Sequence, residues 1–213
     1  MINPNASKIE TVEKNWENYA LCLKRASASP EMQKLIGKLA DAGMAVCPAS
    51  TKSDLVGSYV GGLVEHSLRT MTYMAKLSSV YGVKDLIDTS TIIKTCLLHD
   101  IGKLGVPGVD VMPYYLESKD EWRRNKLGEN YSINPDLQHL SVPTMSLMWC
   151  SKYGVELTPD EWHAVQSMGQ HPGAFDRNDA PIKTETWVSL MLQSSVKASI
   201  LKGRGAKSAS QIG

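Results

Sequence analysis

Four consecutive residues, Thr158-Pro159-Asp160-Glu161, combine three helix-start signals: a hydroxyl at the N-cap, a proline at the first helical position, and a carboxylate that can reach back to the cap. This punctuation recurs along the chain, and between the marks apolar residues return at helical spacing, so the sequence is committed to helices. Ser7 and Glu10 form a capping-box pattern ahead of Ile9, Val12, Trp16, Tyr19, Ala20 and Leu23, which predicts a helix from about Lys8 to Arg25. Ser29-Pro30-Glu31 opens a second helix carrying Met32, Leu35, Ile36 and Leu39, with Gly43 as its stop.

The stretch Cys47 to Ser58 has turn residues and weak periodicity, so it is a loop leading into Gly61-Gly62, long enough to cover something. A third helix runs from Leu63 to near Gly82, with His66 and Arg69 on one face. Thr89-Ser90 caps a fourth, whose apolar segment Ile92 to Leu98 ends at His99-Asp100. Val106 to Pro135 lacks helical periodicity and has room for a short β-hairpin around Asn125 to Asn130. A fifth helix covers Leu140 to Lys152, a sixth starts at Thr158, and a seventh holds Trp187, Leu190, Met191 and Val196. With no repeat and too few strands for a sheet core, the fold class is all-α: a single-domain orthogonal helical bundle with a short β-hairpin insertion. Residues 1–45 form an N-terminal helical segment packed on the core, 46–201 the main domain, and 202–213 a frayed Ser/Gly/Lys tail.

Composition narrows the classes of function. Lys and Arg number 23 against 22 Asp and Glu, so no global field gathers a long polyanion, and nucleic acid binding is not advertised. Cys22, Cys47, Cys96 and Cys150 show no paired spacing and read as reduced core thiols rather than a disulfide framework. No apolar run approaches the roughly 20 residues that span a bilayer, and the start Met1-Ile2-Asn3-Pro4 is unlike a signal peptide, so a cytoplasmic location without membrane contact is expected.

Polar residues at helix ends carry the chemistry. His99 and Asp100 lie together after an apolar helix, where an imidazole nitrogen and a carboxylate oxygen converge on one ion if that end lines a cleft. His66 comes from another helix, behind Gly61-Gly62, whose missing side chains allow close approach. On spacing alone, the three read equally as a metal seat and as a hydrogen-bonded core feature.

The strings Gly61-Gly62-Leu63-Val64-Glu65-His66-Ser67-Leu68 and Leu97-Leu98-His99-Asp100-Ile101-Gly102-Lys103, in that order, resemble the HD-domain metal-dependent phosphohydrolase superfamily. Within it, the Pro48-Ala49-Ser50 loop and the glycine-rich entry are similar to the HD domain of bacterial 3′-5′ exoribonucleases and to small phage- and prophage-encoded HD hydrolases, over about Cys47 to Ser199. The resemblance implies that His66, His99 and Asp100 ligate a divalent metal ion (Mn, Fe, Ni, Co or Mg) and that Lys103 faces phosphate. His139 and His171 look like the added ligands of two-metal members, so one or two ions per chain are implied. One departure stands out. The family closes its site with an Ala-Asp dipeptide in the last helix, and here Ser194 or Ser195 occupies the aspartate's place.

The implied activity is metal-dependent hydrolysis of a phosphate ester or phosphodiester in a nucleotide, another phosphorylated small molecule or a short nucleic acid, by activated water. Asp100 orients that water while Lys103 and Arg69 neutralise charge on the phosphoryl oxygens. Arg123, Arg124 and Lys126, beside Trp122 and Tyr131, read either as a substrate-facing wall or as solvated loop charge. The seryl departure favours the alternative of a degenerate HD domain that binds a nucleotide or protein partner without hydrolysis, and a homodimer suits a short helical chain of this kind.

Overall fold

The structure is a computed structural model that describes residues 9–108, 112–137, 140–168 and 185–203. Eight α-helices appear among them: α1 (Ile9–Ala26), α2 (Pro30–Asp41), α3 (Gly62–Val80), α4 (Thr89–Leu98), α5 (Glu121–Leu127), α6 (Val142–Lys152), α7 (Pro159–Ser167) and α8 (Trp187–Gly203). Two short strands, β1 (Tyr115–Glu117) and β2 (Tyr131–Ile133), flank α5. The molecule is therefore an all-α bundle with a small β insertion.

Capping chemistry explains where the helices begin. Ser29, Ser141 and Thr158 accept the amides of Met32, Thr144 and Glu161, and Glu161 returns the bond to the Thr158 amide, completing the box that the sequence announced. α4 differs from expectation. Its cap is Asp88, whose carboxylate accepts the Thr91 amide at 2.6 Å, while Ser90 donates to the carbonyl of Ala26 at the end of α1. A charged acceptor one residue earlier serves the positive end of the helix better than a hydroxyl.

α4 is the hub because it is apolar on both sides. Ile93, Leu97 and Leu98 join Tyr19, Leu23, Met32, Leu35, Leu39, Leu63 and Trp149 in one cluster, so α1 and α2 pack onto the core. Ile92 and Cys96 face a second cluster with Met74, Ala164, Val188, Met191 and Leu192, which brings in α7 and α8. A buried ion pair also ties α4 to α7: Lys94 lies 2.6 Å from Glu161, which further accepts from the Thr91 hydroxyl at 3.0 Å. All four cysteines are free and buried. No helix of the described residues is long and apolar enough to cross a membrane.

The insertion corrects the expected hairpin around Asn125 to Asn130. β1 and β2 pair antiparallel, with Tyr115 opposite Ile133 and Glu117 opposite Tyr131, and the chain between them forms α5. Asp120 caps α5 through the Arg123 amide, and Gly128, at φ 64°, ends it in the left-handed region. The 47–58 loop does cover the start of α3. Leu63 donates to the carbonyl of Cys47, Ala49 donates to that of Gly57, and the backbones of Gly57 and Gly62 pack so closely that neither tolerates a side chain.

α6 fixes the turn that follows α4. Ser146 Oγ donates to the His99 carbonyl at 2.8 Å and accepts the Gly102 amide at 2.8 Å, and Trp149 Nε1 donates to the Gly105 carbonyl at 2.9 Å. The turn can lie this close only because residue 102 lacks a side chain: a Cβ there would collide with the Val142 carbonyl and sit 2.8 Å from the Ser146 amide. Both neighbours are backbone and cannot give way. Gly102→Ala is expected to lower stability by at least about 1–3 kcal/mol, the usual cost of overpacking, read as a lower urea midpoint with unchanged m-value.

Candidate metal centre

His99 is the C-cap of α4, where helix carbonyls lack intrahelical donors. Its Nδ1 lies 2.9 Å from the Cys96 carbonyl. A carbonyl only accepts, so Nδ1 carries the proton and Nε2 keeps its lone pair. That Nε2 is buried and has no hydrogen-bond partner among the described residues. An orphaned buried acceptor costs about 1–3 kcal/mol, a defect that a ligand at Nε2 would remove.

His66 projects from the first turns of α3 and is as buried as His99, each 1% exposed. Its Nε2 lies 3.9 Å from Asp100 Oδ2, and His99 Nε2 lies 3.5 Å from the same oxygen. Burial pushes the His66 imidazole down to about 3 and lowers His99 as well, so both rings are neutral at pH 7 and neither contact is an ion pair. One ligand atom from each of His66, His99 and Asp100 lies within 4.8 Å of the other two. Two imidazoles and a carboxylate, converging from two helices with lone pairs inward, fit a divalent ion.

Burial alone would raise the Asp100 carboxyl, but the Lys103 ammonium beside it acts in the opposite sense, and the group lies well below the usual carboxylate range. Lys103, one 3-10 turn further on, donates to Asp100 Oδ2 at 2.6 Å. The turn pinned by α6 thus carries Asp100 and Lys103 together.

The other expected residues divide. Arg69 lies one turn beyond His66, but its guanidinium bonds Glu65 Oε1 at 2.9 Å and Ser199 Oγ at 3.1 Å. Arg123 and Arg124 lie on the exposed α5, pairing with Glu129 at 3.2 Å and Glu121 at 4.0 Å, and Lys126 is exposed on the same helix. Among the described residues no hydrogen bond or ion pair joins these three to the cluster. His139 and His171 lie outside the described residues. On α8, Ser195 is fully buried and donates to the Met191 carbonyl at 2.6 Å.

Two contributors escaped the sequence reading. Ser199, four residues beyond Ser195, lies 3.0 Å from His66 Nδ1. Its signal was a serine on the buried face of a helix, one turn from Ser195. Tyr114, held by the Asn134 amide on its carbonyl at 2.8 Å, is half-buried with its hydroxyl raised by burial and by the charge of Asp100. An odd tyrosine before a three-residue strand gave no sequence cue.

The depressed imidazoles make stability depend on pH in a definite sense. The unfolded chain takes up protons near the ordinary value of 6.5, whereas folded His66 refuses them until about 3. The contribution is therefore complete above 6.5 and is lost as pH falls through that window. Chelator-treated protein should show a lower urea midpoint at pH 5 than at pH 7.5, and His66→Gln should flatten that difference. An equal drop in the variant would mean that other groups are responsible.

No curated protein and no solved structure matches the chain. Residues 63–129, about a third of the sequence, match the family model of the HD domain. His66, His99, Asp100 and Lys103 all fall inside that match, which supports the HD-domain superfamily of metal-dependent phosphohydrolases as the setting of this helical core.

Proposed function

We propose that the chain is a hydrolase of phosphate esters or phosphodiesters in nucleotides, with a divalent ion seated by His66, His99 and Asp100. The observation that carries this reading is the buried Nε2 of His99, without a hydrogen-bond partner among the described residues, beside a carboxylate and a second neutral imidazole. When bound, a divalent ion lowers the pKa of water toward neutrality and polarises a phosphoryl group.

The chain's own residues supply the rest. His99 and His66 present Nε2 lone pairs and give up no proton on binding, because burial already keeps both neutral. Asp100 contributes the negative charge of the cluster, and on this reading its carboxylate would orient water by hydrogen bonding. Lys103 reaches that carboxylate now, and its ammonium is the nearest cation to share with an incoming phosphoryl oxygen. No thiol competes as nucleophile: burial raises Cys47 and Cys150 to about 12 and Cys96 further still.

Ser194 or Ser195, one of which stands in the aspartate's place if the resemblance holds, favours a second reading, in which an HD domain binds a nucleotide without turning it over. With its hydroxyl committed to the Met191 carbonyl, Ser195 brings no carboxylate to the ion. The two readings differ in multiple turnover.

Elemental analysis of unchelated protein beside His99→Ala separates metal from no metal, and phosphate release from a nucleotide panel separates turnover from binding. Near-stoichiometric transition metal is expected in the wild type. His99→Ala should lose it and lose turnover by at least about 100-fold, with unchanged helical circular dichroism. Retained turnover in a metal-free variant would sink the proposal, and metal with ligand-induced stabilisation but no product would favour the binding domain.

A further inference from the structure

We infer that Arg69 and Ser199 form a positioning relay that sets the tautomer of His66, so that α8 serves the metal centre from behind one ligand rather than by supplying one. The inference rests on reading His66 as a ligand.

The relay is short and enclosed. Arg69 Nε donates to Ser199 Oγ at 3.1 Å, and the same oxygen lies 3.0 Å from His66 Nδ1 and 3.3 Å from the His66 carbonyl. Ser199 is fully buried. A hydroxyl has one proton and two lone pairs. The guanidinium can only donate to it and the carbonyl can only accept from it. One lone pair is taken by Arg69, and the single proton goes either to Nδ1 or to the carbonyl; a ligand role for Nε2 requires the second arrangement, in which the remaining lone pair accepts Nδ1–H. Nε2 then keeps its lone pair toward Asp100. The opposite tautomer would place a hydrogen at Nε2, where Asp100 is too far, at 3.9 Å, for a hydrogen bond, and would leave no lone pair for a cation.

Arg69 is needed because a helical serine has an easier option. Ser67, Thr70, Thr72 and Ser79 on α3, and Ser195 on α8, each turn the hydroxyl back to the carbonyl four residues earlier. Ser199 instead reaches across to α3. The guanidinium that draws it there is itself anchored, through Nη1 on Glu65, whose other oxygen accepts the Tyr59 hydroxyl at 2.8 Å. The end of α8 is shaped to admit it, since a Cβ at Gly203 would lie 2.9 Å from Arg69 Nη2. Arg69 therefore acts on the Nδ1 edge of His66, away from the edge that faces Asp100, and is a positioning residue rather than one that touches substrate.

The test uses Co²⁺ alone, titrated calorimetrically into chelated full-length protein, with ¹⁵N NMR of the His66 ring in the metal-free state. Ser199→Ala and Arg69→Gln should each weaken Co²⁺ binding 10- to 100-fold, the range for groups that orient a ligand. His66 should move from Nδ1–H in the wild type toward the other tautomer in both, and Ser199→Thr, which restores the hydroxyl, should recover the wild-type ring signature. Binding within twofold of wild type in both variants, with His66 still Nδ1–H, would overturn the relay. A wild type that takes up no Co²⁺ would instead overturn the metal reading, and the ring tautomer across the variants would still decide the relay.

Discussion

An imidazole that spends Nδ1 on a helix carbonyl can offer its surroundings only Nε2, and His99 is fixed in that condition by the end of α4. The rest of the site is arranged around this constraint. α4 can end in a buried histidine because apolar clusters on both of its faces hold it in the middle of the bundle. The chain must then turn at once, and the turn holds its shape because Ser146 bonds on both sides of Asp100 while Gly102 lets α6 approach. The geometry of the carboxylate thus follows from packing made elsewhere, which lets a loop residue be placed as firmly as a helical one.

Charge bookkeeping argues for the kind of ligand the site suits. Neutral imidazoles contribute nothing, and Asp100 and Lys103 cancel, so the cluster with its lysine is close to neutral. A dication seated there would leave a net charge near two positive units in a largely buried setting, where Coulomb terms are weakly screened. An anionic phosphoryl group compensates that charge, whereas a neutral substrate does not. Lys103 now bonds the same oxygen that both Nε2 atoms face, so an incoming cation and the ammonium compete for Asp100 Oδ2, and a phosphate oxygen is the natural second partner for the displaced lysine.

How much of this the sequence disclosed depended on whether a residue's role left a local signature. α2 and α7 were legible because serine, threonine, proline and glutamate at their starts act through bonds to residues three positions away. His66, His99 and Asp100 were legible as a set through their flanking motif, and their convergence depends on α3 crossing α4. α5 was missed although Asp120 and Gly128 bracket it, because a seven-residue helix with no buried residue has no apolar period to read. The hairpin was misplaced for a related reason: Gly128 reads as a hairpin turn, but here it stops a helix, and the paired strands are three residues each. Ser199 was passed over because its partners are about 130 positions away, and a serine on a buried helix face does not by itself announce a cross-helix bond.

If Ser194 or Ser195 stands where HD domains place an aspartate, as the resemblance implies, α8 brings no carboxylate to the ion, but that need not empty the site. Closed four-ligand shells belong to structural metal sites, whereas hydrolytic sites commonly hold the ion with three protein ligands and keep a position open. His66, His99 and Asp100 make three, and Ser195 turns its hydroxyl to its own helix rather than toward the cluster, so the position it vacates carries no fixed protein donor from that residue. The loss weakens the hold on a cation by one charge, and the tautomer control exerted through Ser199 works in the other direction by keeping His66 permanently able to bind. On the proposed reading, α8 serves the centre as a support for His66 through Ser199 rather than as the source of a ligand.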